Sequence, residues 1–346
     1  MNKIKNILGW GLCSLTLAFC FTACDTDVES VKLVEPNIAN ENPSLYQAYL
    51  QNLKAYKNSD HKKTYVWFDN SEKTPFSRAQ HYSMIPDSVD YVSPIYPEDL
   101  QSWELGEIQE MKADKGTKFL LTVDYDAIKA DYNAEKELDE ESEPTAAEFQ
   151  DYLANAVSKL FGLADTFGDY YDGIVFFYTG KSTMHLNKTE LREYTANENA
   201  FIGLMNDWKS RHTDKVIAFV GKPQNVMDKT ILNSCETILL SDGLNATSAD
   251  ILNYDVNIAV EEGAPTSKLG MICYGPTQDP TDPARKGYIS DDVYTIDVMA
   301  EWTRTTHTGF TVNAMGIYGI NDDYYNTNMV YYHTRKAIDT VNPSVK

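Results

Sequence analysis

Eight short apolar runs, separated by longer segments of mixed polarity, constrain this chain more than any other feature. The runs are TYVWFDN (64–70), VDYVSPIY (89–96), KFLLTVDYD (118–126), YDGIVFFYTG (171–180), KVIAFVGKP (215–223), CETILLSD (235–242), KLGMICYG (268–275) and VNAMGIYGIND (312–322). Each is apolar almost throughout instead of alternating with polar residues. That is the pattern of parallel strands covered on both faces. Between them lie stretches with apolar residues three and four apart, such as EFQDYLANAVSKLFGLADTF, ENAFIGLMNDWKS, SDDVYTIDVMAEWTR and NMVYYHTRKAI. That spacing predicts helices with one buried face.

Strand and helix alternating eight times predict an α/β fold, a single-domain (β/α)8 TIM barrel over residues 44–346. An open doubly wound sheet is the rival, but it calls for a glycine-rich turn after its first strand. WFDNSEKTPF has no such glycines. The segment DYNAEKELDEESEPTAAEF is read as a solvated loop leading into a helix, or as a rim loop beside a ligand mouth.

The first residues form a signal peptide, 1–23: a positive head at Lys3 and Lys5, an apolar stretch from Ile7 to Phe21, then small residues. Phe21-Thr22-Ala23 before Cys24 resembles a bacterial lipobox, with Phe21 where leucine is usual. Cys24 is therefore the expected lipidated residue, and 24–43 a flexible tether. DTDVES after Cys24 resembles the acidic export tag of surface lipoproteins in glycan-foraging Gram-negative bacteria. The expected location is the outer membrane, lipid-anchored and facing outward. Cys235 and Cys273 remain in the mature chain. A disulfide between them is conceivable in an oxidising compartment, but their expected places near opposite ends of neighbouring strands are too far apart to bond, and the alternative reading is two buried small hydrophobes.

A net charge of −21, from 51 acidic and 30 basic residues, excludes a nucleic-acid partner and disfavours polyanionic substrates. Neutral polysaccharide suits it. No histidine or cysteine spacing suggests a metal, no cofactor motif appears, and no G-x-S-x-G nucleophile elbow occurs.

Barrel enzymes place their chemistry at the carboxyl ends of the strands. The fourth run there resembles glycoside hydrolase family 18, the chitinases and endo-β-N-acetylglucosaminidases, whose fourth strand reads Asp-Gly-x-Asp-x-Asp-x-Glu. Asp172 and Gly173 match its first two positions. Val175, Phe177 and Thr179 stand where the three further acids belong. The resemblance implies that a Glu protonates the leaving oxygen while an Asp orients the substrate's N-acetyl group, which attacks the anomeric carbon. A threonine hydroxyl is no acid near neutral pH, and general acid–base help is worth about 10²–10⁴ in rate. The expectation is therefore a catalytically inactive family-18-like lipoprotein with no catalytic residues. It binds oligosaccharide, N-glycan or another N-acetylglucosamine-containing chain, for neighbouring glycosidases and an outer-membrane transporter. The alternative is an active endo-β-N-acetylglucosaminidase using relocated carboxylates among Asp69, Asp124, Asp126, Asp242, Asp322 and Asp323.

A sugar site needs aromatic faces flanked by hydroxyl-binding polar groups. The strand-end candidates are Trp67, Asn70, Tyr96, Asp124, Tyr125, Tyr178, Lys181, Asp242, Tyr274, Tyr318, Asn321, Asp322 and Tyr324. Trp67 fits equally as a plug of the barrel, and any single tyrosine fits equally as core.

Overall fold

In the computed structural model, the residues described are 38–137, 145–277, 285–290 and 293–343. The expected signal peptide, Cys24, most of the expected tether and the middle of the acidic segment lie outside them. The chain divides into two units at Ala48/Tyr49. The described part of the first is a helical turn, Ile38–Glu41, and the start of helix Pro43–Asn58. The stretch read as tether is thus helical from Ile38.

The second unit holds eight parallel strands: β1 (Lys63–Phe68), β2 (Tyr91–Pro94), β3 (Lys118–Asp124), β4 (Gly173–Tyr178), β5 (Val216–Gly221), β6 (Ile238–Leu240), β7 (Leu269–Tyr274) and β8 (Val312–Tyr318). They close in the order β1-β8-β7-β6-β5-β4-β3-β2, so no edge is left unpaired. All eight expected runs are strands. They are shorter than the runs because the polar closing residues turn away from the ladder.

Period-two alternation sorts the strands' side chains between two cores. Tyr65, Trp67, Tyr91, Leu120, Val175, Ala218, Val220, Leu239, Ile272 and Ala314 fill the barrel interior. Their neighbours, such as Val66, Ile174, Phe176, Phe219 and Ile317, pack outward under the helices. Both faces are therefore dry, which explains runs without alternation.

Helix Ala146–Thr166 begins where Thr145 Oγ1 accepts the Glu148 N–H and Glu148 Oε2 accepts the Thr145 N–H, a reciprocal cap. Helix Lys188–Arg211 starts ten residues before its expected apolar face, because Asn187 Oδ1 accepts the N–H groups of Thr189 and Glu190. The helix expected from Ser290 onward starts later: Tyr288–Ser290 pairs with Val293–Tyr294, and the helix runs Thr295–Arg304.

The Asp-Gly that opens β4 serves the fold. Asp172 accepts from the Phe119 N–H through Oδ2 (2.9 Å) and from Lys112 Nζ through Oδ1 (2.9 Å). It fastens β3 to β4 at their amino ends. A Cβ on Gly173 would lie 2.0 Å from the Val216 carbonyl oxygen, so only glycine lets β4 and β5 approach as they do. Cys235 and Cys273 are free thiols, and both are buried.

Candidate functional site

The carboxyl ends of the strands form the barrel mouth, and inward-facing residues decide its chemistry. On β4 these are Val175, Phe177 and, just past the strand, Thr179. Val175 is fully buried in the interior. Phe177 meets Trp67 edge-on at 5.4 Å between ring centroids and faces Tyr318 at 6.5 Å. Trp67 stacks on Tyr318 at 6.1 Å, and its Nε1 donates to Thr122 Oγ1 (3.1 Å). Three rings thus close the interior just below the mouth. Thr179 is held by its backbone: its N–H donates to Asp126 Oδ2 (2.8 Å), and its carbonyl accepts from Asn225 Nδ2 (2.9 Å).

Around the Tyr318 ring of this floor lie Asp124, Tyr274 and Tyr96. Asp124 pairs in register with Phe177 and accepts the Ala127 N–H (3.0 Å), capping helix Tyr125–Glu137. Burial pushes its carboxyl up to about 6, against the pull of the Ala127 N–H and with help from the Asp126 charge. Burial likewise pushes the Tyr318 hydroxyl up to about 12, with the Asp124 carboxylate next in effect and Tyr274, Tyr96 and Asp69 adding to it. Tyr274 stands edge-on to Tyr318 at 5.7 Å, and Lys286 Nζ lies 5.2 Å from the Tyr274 ring centre. Tyr96 is 48% exposed.

The other expected site residues fall elsewhere, each for a physical reason. Trp67 is buried and plugs the barrel. Asn70 is buried, with Nδ2 donating to the Tyr96 carbonyl (2.7 Å) and Glu104 Oε1 (2.8 Å) and Oδ1 accepting the Tyr96 N–H (2.9 Å). It positions the β2 loop and has no exposed surface to offer. Tyr125 and Tyr178 point outward beneath the helices. Tyr178 Oη donates to buried Glu198 Oε2 (2.7 Å) and lies 2.8 Å from Tyr194 Oη. Lys181 is exposed, its N–H donating to Tyr194 Oη (3.1 Å). Tyr324 is buried against Tyr325 and Tyr331. Asn321 and exposed Asp322 follow β8.

Among the strand-end acids, Asp323 is fully buried and accepts the N–H groups of His333 and Thr334, capping the last helix, Tyr332–Val341. Asp242 pairs with Lys222 (2.8 Å), and its buried Oδ2 has no hydrogen-bond partner among the described residues. Asp126 is spent on Thr179. Asp69, Asp124 and Asp322 lie on the rim side, Asp69 accepting the Ser71 N–H and Asp124 the Ala127 N–H. Among the described residues, no group of histidine, cysteine and carboxylate side chains could hold a metal ion.

A sequence model described as glycoside hydrolase family 18, BT1044-like, matches residues 26–340. The chain belongs to glycoside hydrolase family 18. Among family-18 structures, that of BT1044 superposes with a TM-score of 0.60 at 14% identity, covering 90% of this chain and 98% of that one. The endo-β-N-acetylglucosaminidase of Cordyceps militaris superposes at 0.55 with 19% identity, covering 86% and 96%. A mutant of the same fungal enzyme was solved with fucosyl-N-acetylglucosamine-Asn. No curated protein matches the chain in sequence. At these identities the superpositions establish the fold, so the site is argued from this chain's own residues.

Proposed function

We propose that this protein is a family-18 barrel that grips N-acetylglucosamine-containing oligosaccharide without cleaving it. The observation that carries the reading is Phe177, its ring packed against Trp67 and Tyr318 where the family's chemistry calls for a carboxylate. Thr179 offers a hydroxyl where that chemistry calls for a proton donor. The N-acetyl group would have no charged partner on β4, so the substrate-assisted route lacks both its acid and its orienting group. The mouth still presents Tyr96, Tyr274, Tyr318 and Asp124, which suit sugar faces and hydroxyls. The fucosyl-N-acetylglucosamine-Asn in the mutant fungal enzyme's structure supports the choice of sugar.

In this reading Cys24 carries the lipid, the protein stands on the outer face of the outer membrane, and the held glycan passes to a transporter and to active glycosidases. Incubation with an N-glycoprotein panel tests it. Glycoprotein is expected to be retained with no glycan released. Released glycan, lost on Asp124→Asn, would sink it.

One observation favours the alternative. Asp124 faces the mouth and is held near 6, so part of it carries a proton at neutral pH, as a general acid must. Its role as a helix cap accounts for its place without catalysis.

A further inference from the structure

Beside the barrel mouth, on the carboxyl side of β1 and β8, lies a cleft of about 410 Å³. Its walls are the loop after β1 and the turn after β8, and Asn321 fastens one to the other. Asn321 Oδ1 accepts the Asp69 N–H (2.7 Å), while Nδ2 donates to the carbonyls of Asp69 (3.1 Å) and Ala79 (3.1 Å). The β1 loop is pinned a second time: the N–H groups of Phe76 and Ser77 both donate to Gln80 Oε1, at 2.8 and 3.1 Å. On this fixed turn the Phe76 ring is 82% exposed, and Tyr325 on the other wall is 64% exposed. Both line the cleft.

A rigid turn that holds a phenylalanine in water contributes no burial to the fold. It does present a ring face already in place, so ordering it costs a ligand little. Among the described residues that line the cleft, the acidic side chains are Asp69, Glu72 and Asp322, and none is lysine or arginine. Glu72 and Asp69 are held in position by accepting the Thr74 N–H (2.9 Å) and the Ser71 N–H (2.9 Å). Carboxylates accept hydrogen bonds from sugar hydroxyls and repel carboxylate or sulfate groups.

We infer that this off-axis cleft, rather than the barrel axis, grips the glycan, through Phe76 and Tyr325, and that it takes uncharged sugar units and rejects acidic ones. The inference rests on the glycan-binding reading above, moves the main contacts from the mouth residues Tyr96, Tyr274, Tyr318 and Asp124 to the cleft beside them, and adds a selectivity. It also fits the floor at Phe177: a site that performs no bond cleavage has no need to lie over the β4 strand end.

The test uses the full-length protein in detergent, with binding of a neutral biantennary N-glycan and of its disialylated counterpart measured by calorimetry. The neutral glycan is expected to bind at least tenfold more tightly than the sialylated one. Phe76→Ala and Tyr325→Ala each weaken it about tenfold or more, with melting temperature unchanged. The double variant Glu72→Gln, Asp322→Asn narrows the gap between the two glycans. Tyr254→Ala, an equally exposed tyrosine on helix Ala249–Glu261, serves as the control and changes neither. Binding unchanged in Phe76→Ala and Tyr325→Ala but lost in Tyr274→Ala would place the glycan on the axis and overturn the inference, with glycan binding intact. Equal affinity for the two glycans would overturn the selectivity. Retention of neither glycan by the unmodified protein would sink the glycan-binding reading, and the inference with it.

Discussion

Inside the barrel, the ring of Phe177 meets Trp67 edge-on, with centroids 5.4 Å apart and planes at 85°. This contact joins β4 to β1 across the interior and closes it with apolar surface. A carboxylate at 177 would face the same apolar rings. Phe177→Asp is therefore expected to destabilise the protein by about 2–4 kcal/mol, read as a lowered denaturation midpoint in urea. Thr179→Glu alone is expected to release no glycan, because the orienting acid is still missing. Hydrolysis by that single variant would contradict the proposed loss of function.

Gly173→Ala addresses the Asp-Gly pair. With a Cβ 2.0 Å from the Val216 carbonyl oxygen, β4 and β5 must separate. The expected cost is about 3 kcal/mol or more, seen as a drop in Tm or as insoluble expression. A melting temperature within a degree or two of the parent protein would mean that the strands tolerate the separation.

Asp124 gives a pH signature of fixed sign. Its carboxyl is raised from 3.8 to about 6 in the folded protein, so the folded state binds the proton more tightly than the unfolded state. Its contribution is fully present below about pH 4 and is lost as pH rises through 6. Asp124→Asn keeps a capping oxygen but removes the titration. The variant is expected to be more stable than the parent at pH 7, by on the order of 1–2 kcal/mol after allowance for solvent screening, and equal to it near pH 4. Urea unfolding at the two pH values measures this. A constant difference across the range would argue against the buried carboxyl.

Tyr178→Phe separates structure from binding. The hydroxyl serves Glu198, which is buried and also accepts the Met227 N–H (2.7 Å). Removing it leaves that carboxylate one donor short, at a cost of about 1–3 kcal/mol. Glycan affinity is expected to stay unchanged, since the ring lies beneath helix Lys188–Arg211. A weakened affinity with unchanged stability would return Tyr178 to the site.

Much of the fold was legible because parallel strands covered on both sides need unbroken apolar runs, and eight of them stand apart from helical spacing. The same alternation that puts Val175, Phe177 and Thr179 on one face also turns Tyr178 to the other, so that residue was removable from the site by sequence alone. Asn70 and Tyr324 were not. A polar or aromatic residue at a strand end looks the same in sequence whether it faces a ligand or satisfies a buried neighbour, and only Glu104 and Tyr331 across the fold tell which. Phe76 gave no signal, since a lone aromatic in a polar loop has no period to reveal its exposure, and sequence could not tell exposed Tyr325 from its buried neighbour Tyr324.

By itself, then, the order of residues determined the alternation of elements, the family likeness of β4 and that Val175, Phe177 and Thr179 share one face of it, because these are local matters of period and residue type. Only the tertiary structure decided that Asp172 and Gly173 serve strand packing and that Phe177 completes an aromatic floor. It alone brought the β1 and β8 loops together through Asn321. Those facts depend on contacts between segments as many as 252 residues apart in sequence, which no local pattern encodes.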